Sequence, residues 1–365
     1  MKEKGERLIL LVLGALVAGL ALWCWLGPHR EYSRSEERIL ADIPQATWGN
    51  VTTGRFAEHC ENVARDQFPL RNMFRDIKIG TSLSVLQRQD MDGVYEKDGW
   101  AAVQEVLHPE MVDHAIDCFQ GVYEDFFKGT DARVYFAMVP DKHFFLGNGR
   151  PTMDYQDLYR RMEAALPDMQ CLDLTEELCL EDYYRTDSHW RQERILDIAD
   201  RLADTMGVTL DQTYQKQLLN RPFSGIYSIT LGNTLKPESL YYLTSPTLEA
   251  CTVTMTDITG APVRRHIYDL ARAMERYPYS IFLSGPRGLI TIENLRAKED
   301  RDLILFRDSF GSSLAPLLVS GYRTITMVDL RYLPSVNLDR FLQVEDQDVL
   351  FLYSTLRLNK SMALR

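Results

Sequence analysis

The sequence predicts an α/β fold, with a parallel β-sheet flanked by helices on both faces. The first observation is a strand–helix–strand rhythm, with strands at 134–139 and about 169–174 around a helix at about 154–166. The rhythm returns near the C-terminus, where strands at 303–306, 324–328 and 349–353 alternate with helices at about 312–320 and 336–342. The second observation is the composition of the 365 residues, 45% hydrophobic and 25% charged, which is typical of a globular chain with a sizeable core.

The chain begins with a membrane-span pattern. Leu8 to Leu26 is an unbroken apolar run of 19 residues, long enough to cross a bilayer as a helix. Basic residues precede it and tryptophans lie at its far end. A cleaved signal peptide is the alternative, but the bulky residues around Cys24 offer no small-x-small cleavage site and no lipoprotein signal. We expect residues 1–27 to form a cytoplasmic N-terminus and a transmembrane signal anchor, with everything after Gly27 outside the cytoplasm.

The next segments predict a stalk and the start of a domain. Residues 28–53 are mostly polar and read as a stalk, and the domain is expected to occupy 54–365. Helical patterns at 54–65 and from Arg71 to about Leu86, separated by Phe68-Pro69, predict a helical hairpin. Apolar residues on either side of Glu96-Lys97-Asp98-Gly99 then predict a β-hairpin.

A helix is predicted from Pro109 to Gly129, ahead of the first central strand. Residues 212–292 then break the strand–helix rhythm and are rich in Thr, Ser, Tyr, Pro and Gly. Their β-like pieces lie at 250–255, 263–268 and 289–292. We expect this stretch to be a β-rich insertion of strands and loops around the rim of the site.

Charge and cysteine content exclude several classes of function. Lys and Arg total 41 against 52 acidic residues, a net charge of −11 without a lysine-rich cluster, which argues against a nucleic-acid partner. The six cysteines include no C-x-x-C pair, and the histidines lack a second ligand at metal-binding spacing. The sequence therefore predicts no metal site and no cofactor.

Ser309 is the candidate nucleophile. It follows the apolar strand 303–306 and precedes a helix, at the carboxyl end of a strand, where open α/β sheets hold their ligands. Amides at the start of that helix, those of Phe310 and Gly311, are candidates for stabilising a developing oxyanion. An ordinary strand–cap–helix turn is the alternative, because Asp308, Ser309 and Ser312 are favoured capping residues.

Asp187 and His189 are the candidate partners of Ser309. They lie two residues apart, just before an amphipathic helix pattern that Gly207 ends. An imidazole oriented by a carboxylate acts as a general base for a hydroxyl nucleophile. Taken alone, the stretch is better explained by Asp187 or Ser188 capping the helix and an incidental His189.

Asp187-Ser188-His189-Trp190 and Arg307-Asp308-Ser309-Phe310 together resemble the DHHW family, membrane-anchored relatives of the SGNH hydrolase-like alginate O-acetylation proteins. The resemblance extends over most of the exported chain, through the stretches at 66–71, 92–95 and 139–142. It implies an SGNH-like sheet in which Asp-x-His precedes the serine, the reverse of the order in ordinary SGNH hydrolases. It also implies Ser309 as nucleophile, His189 as base and Asp187 as the group that orients His189.

The chain departs from the family pattern at three points. Ser188 stands where the family's name has a second histidine, and Arg307 stands in place of the glycine of a Gly-Asp-Ser block. The separate glycine and asparagine that complete an SGNH oxyanion hole are not identifiable in the sequence.

Three further residues are weaker candidates for contacting substrate or an oxyanion. Lys142 follows a buried strand, with a solvated loop as the alternative. Arg331 and Tyr332 follow the strand after the nucleophile helix, with packing or an ion pair as the alternative.

The resemblance implies an extracytoplasmic O-acetyltransferase that modifies a cell-surface polysaccharide through an acyl-serine. Its acyl donor would be a membrane-bound O-acyltransferase partner. Two alternatives stay open at this point. A carbohydrate O-acetyl esterase would use the same nucleophile and base with water as acceptor, and a sugar-binding scaffold would keep the three residues without catalysis.

The sequence predicts a single-pass topology with the domain outside. Protease added to intact cells is therefore expected to remove the residues after Gly27 and to leave a membrane-embedded stub, because the bilayer protects the span. Immunoblotting with an N-terminal tag measures this, and lysed cells serve as the control. A chain that stays whole on intact cells but is cut after lysis would contradict the topology.

Overall fold

The computed structural model describes residues 2–30, 32–33, 38–39, 41–147, 149–211, 213–232, 235–256, 262–274 and 278–365. The chain divides into two compact units, one up to Arg88 and one from Gln89 onward. Part of the predicted stalk, at 31, 34–37 and 40, lies outside the described residues, as do 212, 233–234, 257–261 and 275–277 of the predicted insertion.

The first unit is mainly helical. Its elements are α1 (Lys2–Leu26), β1 (Tyr32–Ser33), β2 (Arg38–Ile39), α2 (Trp48–Thr52), α3 (Arg55–Gln67) and α4 (Arg71–Gly80). Among the described residues, Gly5–Leu26 of α1 is the one segment long and apolar enough to cross a membrane, with a mean hydropathy of 2.5. The break between α3 and α4 falls at the predicted Phe68-Pro69, and a π-helical turn, Thr81–Val85, extends α4.

The second unit begins with the elements β3 (Val94–Lys97), β4 (Trp100–Val103), α5 (Pro109–Val122), β5 (Arg133–Val139), α6 (Lys142–Leu146), α7 (Tyr155–Ala165), β6 (Gln170–Asp173) and α8 (Leu196–Met206). It continues with β7 (Gln215–Leu218), α9 (Tyr227–Leu231), β8 (Tyr241–Thr244), α10 (Pro246–Ala250), β9 (Thr252–Thr256), β10 (Val263–Arg265) and β11 (Leu289–Glu293). It ends with β12 (Asp302–Arg307), α11 (Gly311–Leu318), β13 (Thr324–Val328), β14 (Asp348–Ser354) and α12 (Thr355–Leu358).

An eight-stranded sheet forms the centre of this unit, in the order β10-β9-β11-β13-β12-β14-β5-β6. The five strands from β13 to β6 are parallel, and β11, β9 and β10 add antiparallel pairs at one edge. Strand β12 therefore lies inside the parallel part, between β13 and β14. The predicted α/β fold with a mainly parallel sheet is confirmed.

Helices cover both faces of the sheet, because successive side chains of each strand point to opposite sides. In β14, Leu350 and Leu352 belong to one apolar cluster, which also holds residues of α8 and α11. The alternate residues Val349 and Phe351 belong to a second cluster, with residues of α5 and α7. Such two-sided burial explains why the central strands read as continuous apolar runs.

Part of the segment expected to rim the site extends the sheet. Strands β9 and β11 pair along five residues, and β11 pairs with β13. Strand β9 alternates buried and half-buried residues, as expected of an antiparallel strand near an edge. The predicted strand start at Ala250 is wrong, because Pro246–Ala250 is a short helix whose Leu248 amide bonds to the Ser245 hydroxyl.

Two predicted helices also differ in detail. The helix expected at 336–342 is a 3₁₀ segment, Ser335–Arg340. The pattern after Arg191 begins as a 3₁₀ turn, and the α-helix starts only at Leu196. The buried Gln192 explains this delay, because its side chain bonds to the Ser313 carbonyl and the Leu243 amide instead of lying on a helix surface.

The aromatic packing of β14 generates a stability prediction. The Phe351 ring stacks on Phe306 at 4.4 Å and meets Phe119 at 5.2 Å between ring centroids. Phe351→Ala should therefore lower the free energy of unfolding by about 3–5 kcal/mol, through lost burial and a residual cavity. Denaturant titration of the full chain in detergent measures it. Val336→Ala, at a position 84% exposed, is the control and should change it by less than about 0.5 kcal/mol. An equal effect of the two changes would contradict the assigned core.

Candidate active site

Ser309 lies in the turn between β12 and α11, at the carboxyl edge of the parallel strands. Asp308 fixes this turn with both carboxylate oxygens. Its Oδ1 accepts the Phe310 amide at 2.9 Å, and its Oδ2 accepts the amide and hydroxyl of Ser354 at 2.9 and 2.6 Å. Ser354 ends the neighbouring strand β14, so the sheet itself holds the position of Ser309.

The turn that carries Asp187 and His189 reaches the same edge. The Tyr184 amide donates to the His189 carbonyl at 3.0 Å and closes the base of this turn. His189 Nε2 lies 2.7 Å from Ser309 Oγ, and His189 Nδ1 lies 2.5 Å from Asp187 Oδ1. Because a carboxylate only accepts hydrogen bonds, Nδ1 carries the proton and the lone pair of Nε2 faces the serine hydroxyl. The structure thus brings these three side chains together in the order that general-base activation of a serine requires.

The Asp187 carboxylate is buried but ionised. It is 2% exposed, and its Oδ2 accepts the Ile226 amide at 2.8 Å. Burial by itself raises the pKa of Asp187, but the attraction of His189 and the hydrogen bonds outweigh it, so the pKa of this carboxyl lies below its usual value. An anion at this place orients the imidazole and stabilises it when it takes up a proton.

A glycine allows the approach that supplies the Ile226 amide. A Cβ atom on Gly225 would lie 2.3 Å from Asp187 Cβ and 2.5 Å from the Thr186 carbonyl oxygen, where no side chain fits. The Gly225 amide donates to the Thr186 hydroxyl at 2.8 Å. Glu238 holds the same threonine from the other side, accepting its amide at 2.8 Å and its hydroxyl at 2.7 Å. The sequence analysis missed Gly225 and Glu238. In a single sequence Gly225 is only a glycine in a loop, and nothing marks Glu238.

The imidazole ring is also held by stacking. Tyr279 lies parallel to His189, with ring centroids 3.9 Å apart and an angle of 12° between the planes. The Tyr279 hydroxyl and Ser313 Oγ are 2.8 Å apart, and Trp190 Nε1 donates to the same Ser313 oxygen at 2.9 Å. Ser313 lies on α11, so the helix that begins after Ser309 also helps to fix the plane of the His189 ring. Sequence reasoning missed Tyr279 too.

One of the two amides expected to serve the oxyanion is bonded elsewhere in the structure. The Phe310 amide is bonded to Asp308, which corrects the expectation that this amide faces the reacting group. Gly311 is buried against Arg307, since a Cβ there would lie 2.7 Å from the Cβ of Arg307. Its lack of a side chain therefore lets α11 start directly above the end of β12.

Arg331 and Tyr332 have different surroundings. Arg331 donates from Nε and Nη2 to the two oxygens of Asp329, at 2.8 and 2.6 Å. It therefore forms the ion pair that the sequence analysis gave as the alternative to a substrate contact. Tyr332 is 51% exposed and lines an open groove of about 490 Å³ with Arg287 and Phe341.

Lys142 is neither in a solvated loop nor bonded to Ser309. It is 2% exposed, and its ammonium donates to the carbonyls of Tyr184 and Arg185 at 2.7 and 3.1 Å. The side chain thus contacts the base of the Asp187 turn from inside the protein. Within the part of the chain that the structure describes, no group of three or more His, Cys, Asp or Glu side chains is arranged to hold a metal ion.

The contact at Gly225 generates a prediction about the reactivity of Ser309. Gly225→Ala should push its loop away from Asp187 and remove the Ile226 hydrogen bond, slowing covalent labelling of Ser309 by phenylmethylsulfonyl fluoride about 10- to 100-fold. Intact-mass spectrometry of the full chain measures the labelling rate. Gly121→Ala is the matched control, because a Cβ at that helical position meets no atom within 4 Å. Equal labelling of the two variants would show that the close approach is unimportant.

Comparison with known proteins identifies relatives by structure. No protein-family model matches the chain, and no curated protein matches it. A DHHW family protein from Eubacterium siraeum has 21% sequence identity and a TM-score of 0.56, and the match covers 73% of this chain and 91% of that one. Bacillus cereus PatB1 with a sulfonyl adduct has 19% identity and a TM-score of 0.57, over 73% of this chain and 95% of PatB1. A second PatB1 structure has 18% identity and a TM-score of 0.55, over 73% and 96%. Identities in this range show a shared fold, so the resemblance to the DHHW family is confirmed at the level of the fold.

Proposed function

We propose that the chain is a membrane-anchored, extracytoplasmic O-acetyltransferase that modifies a cell-surface polysaccharide through an acyl-Ser309 intermediate. The observation that supports the proposal is the continuous chain of hydrogen bonds from Ser309 Oγ through His189 to the buried Asp187 carboxylate. Ser309 and His189 are partly exposed while Asp187 is buried, so substrate reaches the nucleophile and base but not the orienting group.

The reaction has two half-reactions. In the first, Ser309 Oγ attacks the carbonyl carbon of an acetyl donor while His189 Nε2 takes the hydroxyl proton. The imidazolium then returns this proton to the departing group of the donor, which leaves an acetyl ester on Ser309. In the second, a sugar hydroxyl gives its proton to His189 and attacks the ester carbon. The Ser309 oxygen leaves and recovers the proton, and the sugar carries the acetyl group.

The setting of the reaction completes the proposal. The apolar helix α1 anchors the chain as a single-pass protein, with the domain outside. The domain is an SGNH-like sheet with a reordered motif, in which Asp187-x-His189 precedes Ser309. The acetyl group is supplied by a partner protein, a membrane-bound O-acyltransferase. Because α1 anchors the domain to the same membrane, Ser309 stays close enough to accept the group from that partner.

Substitutions of the three residues test the proposal. Ser309→Ala removes the atom that forms the ester, and His189→Ala leaves the hydroxyl protonated, so each should abolish acetyl transfer. Asp187→Asn should cost about 10⁴-fold by favouring the wrong imidazole tautomer. Because the three act as a unit, Ser309→Ala with His189→Ala should cost little more than either change alone.

The measurement uses purified full chain in detergent with a small acetyl ester, and follows the Ser309 peptide mass together with acetate release and transfer to oligosaccharide. Ser188→Ala is the control and should keep most activity, since its hydroxyl lies 3.5 Å from His189 Nδ1, which Asp187 already holds at 2.5 Å. Circular dichroism confirms folding. Wild-type activity in Ser309→Ala would refute the nucleophile. Acetate release without transfer would favour the esterase, and the absence of any adduct in wild type would favour the scaffold.

A further inference from the structure

Lys142 is a buried cation that the proposed reaction does not use. It is the first residue of α6, directly after Asp141, whose Oδ1 caps the helix by accepting the His143 amide at 2.8 Å. The ammonium lies 4.9 Å from the centre of the Tyr227 ring. Burying an ammonium costs several kcal/mol unless polar groups replace its water.

Backbone carbonyls replace that water. Lys142 Nζ donates to the carbonyl of Tyr184 at 2.7 Å and to that of Arg185 at 3.1 Å. The Tyr184 amide in turn donates to the His189 carbonyl, so Lys142 is bonded to the residue that closes the Asp187 turn. The Arg185 carbonyl also accepts the Ala101 amide of β4 at 2.9 Å, which fixes the same base from the hairpin side.

The charges around Lys142 favour its protonated form without forming a close pair. Asp187, Glu238 and Asp141 attract the ammonium, yet burial dominates and lowers the pKa of Lys142 to about 7. The Asp141 carboxylate is already bonded to the Thr355 and Tyr155 hydroxyls. An apolar side chain in place of Lys142 would remove the cost of burying the charge but would also leave the Tyr184 carbonyl without this donor. The two effects oppose each other, so the free energy of unfolding does not by itself show what the lysine does.

We propose that Lys142 is a positioning residue whose ammonium holds the base of the Tyr184–His189 turn, so that Asp187 and His189 stay aligned with Ser309. The effect on rate rests on the proposed function of Ser309, whereas the effect on the Asp187–His189 hydrogen bond does not.

The test compares Lys142→Met with wild type in the full chain. Labelling of Ser309 by phenylmethylsulfonyl fluoride should slow about 10- to 100-fold, because the base is displaced. The downfield NMR signal of the His189 Nδ1 proton should move upfield, because its bond to Asp187 lengthens. The free energy of unfolding should change little, because the relief of the buried charge and the loss of the donor to the Tyr184 carbonyl oppose each other, so the labelling rate and the His189 signal separate positioning from a merely structural role. Lys97→Met is the matched control, since Lys97 also donates to a backbone carbonyl, that of Leu146 at 3.1 Å, but outside the turn.

A double substitution shows whether Lys142 acts through Asp187. In an Asp187→Asn background, Lys142→Met should change the labelling rate less than about twofold, because the group that Lys142 aligns has lost its charge. An equal loss in both backgrounds would overturn the proposal, and so would an unchanged labelling rate and His189 signal in Lys142→Met. If wild type is not labelled but its His189 signal still depends on Lys142, the proposed function fails and the positioning role stands.

A pH series on wild type decides the question if Lys142→Met does not fold. The amine loses its charge as pH rises through about 7, with Asp187, Glu238 and Asp141 the charged groups that face it. The labelling rate and the His189 signal should then decline above neutral pH, since the uncharged amine attracts the carbonyls less. The ¹⁵N NMR signal of Lys142 Nζ reports when the amine loses its proton. A labelling rate and a His189 signal that hold steady while Lys142 deprotonates would overturn the proposal.

Discussion

The site depends on one buried carboxylate, that of Asp187, staying ionised and fixed. A buried charge persists only where hydrogen bonds replace water, and Asp187 obtains them from the His189 ring, the His189 amide and the Ile226 amide. The last of these comes from a loop 39 positions away in the sequence. Hence the tertiary fold must be complete before the anion is stable, and the ionised state of Asp187 depends on the integrity of the fold.

A second set of buried charges lies next to Ser309, at Arg307, the residue that stands in place of the glycine of a Gly-Asp-Ser block. This side chain is fully buried, and its guanidinium lies 3.7 Å from the Asp329 carboxylate at the end of β13. Burial lowers the pKa of Arg307, against the attraction of Asp329 and Asp308. Where the DHHW pattern has a glycine, this chain has a cation that links the ends of β12 and β13, and Gly311 leaves the space that the Arg307 side chain occupies.

Much of the fold could be predicted because its central strands are continuous apolar runs, and parallel strands bring their carboxyl ends to one edge. This logic, with the resemblance, placed Ser309 near Asp187 and His189. The patterns of β9 and β11 indicated strands, but they did not show that these two strands pair with each other or that β11 pairs with β13. The same logic placed Lys142 at the correct edge with the wrong role, since a sequence does not show which way a side chain turns. Gly225 and Tyr279 could not be found, because close approach and ring stacking leave no pattern in one sequence.

The stacking of Tyr279 on His189 restricts the motion of the imidazole ring. A ring covered on one face by an aromatic side chain and bonded at both nitrogens has little freedom to turn about its side-chain axis. Nε2 therefore stays directed at Ser309 and Nδ1 at Asp187. In the two half-reactions proposed above, the same nitrogen would serve both steps without a rearrangement of the ring between them.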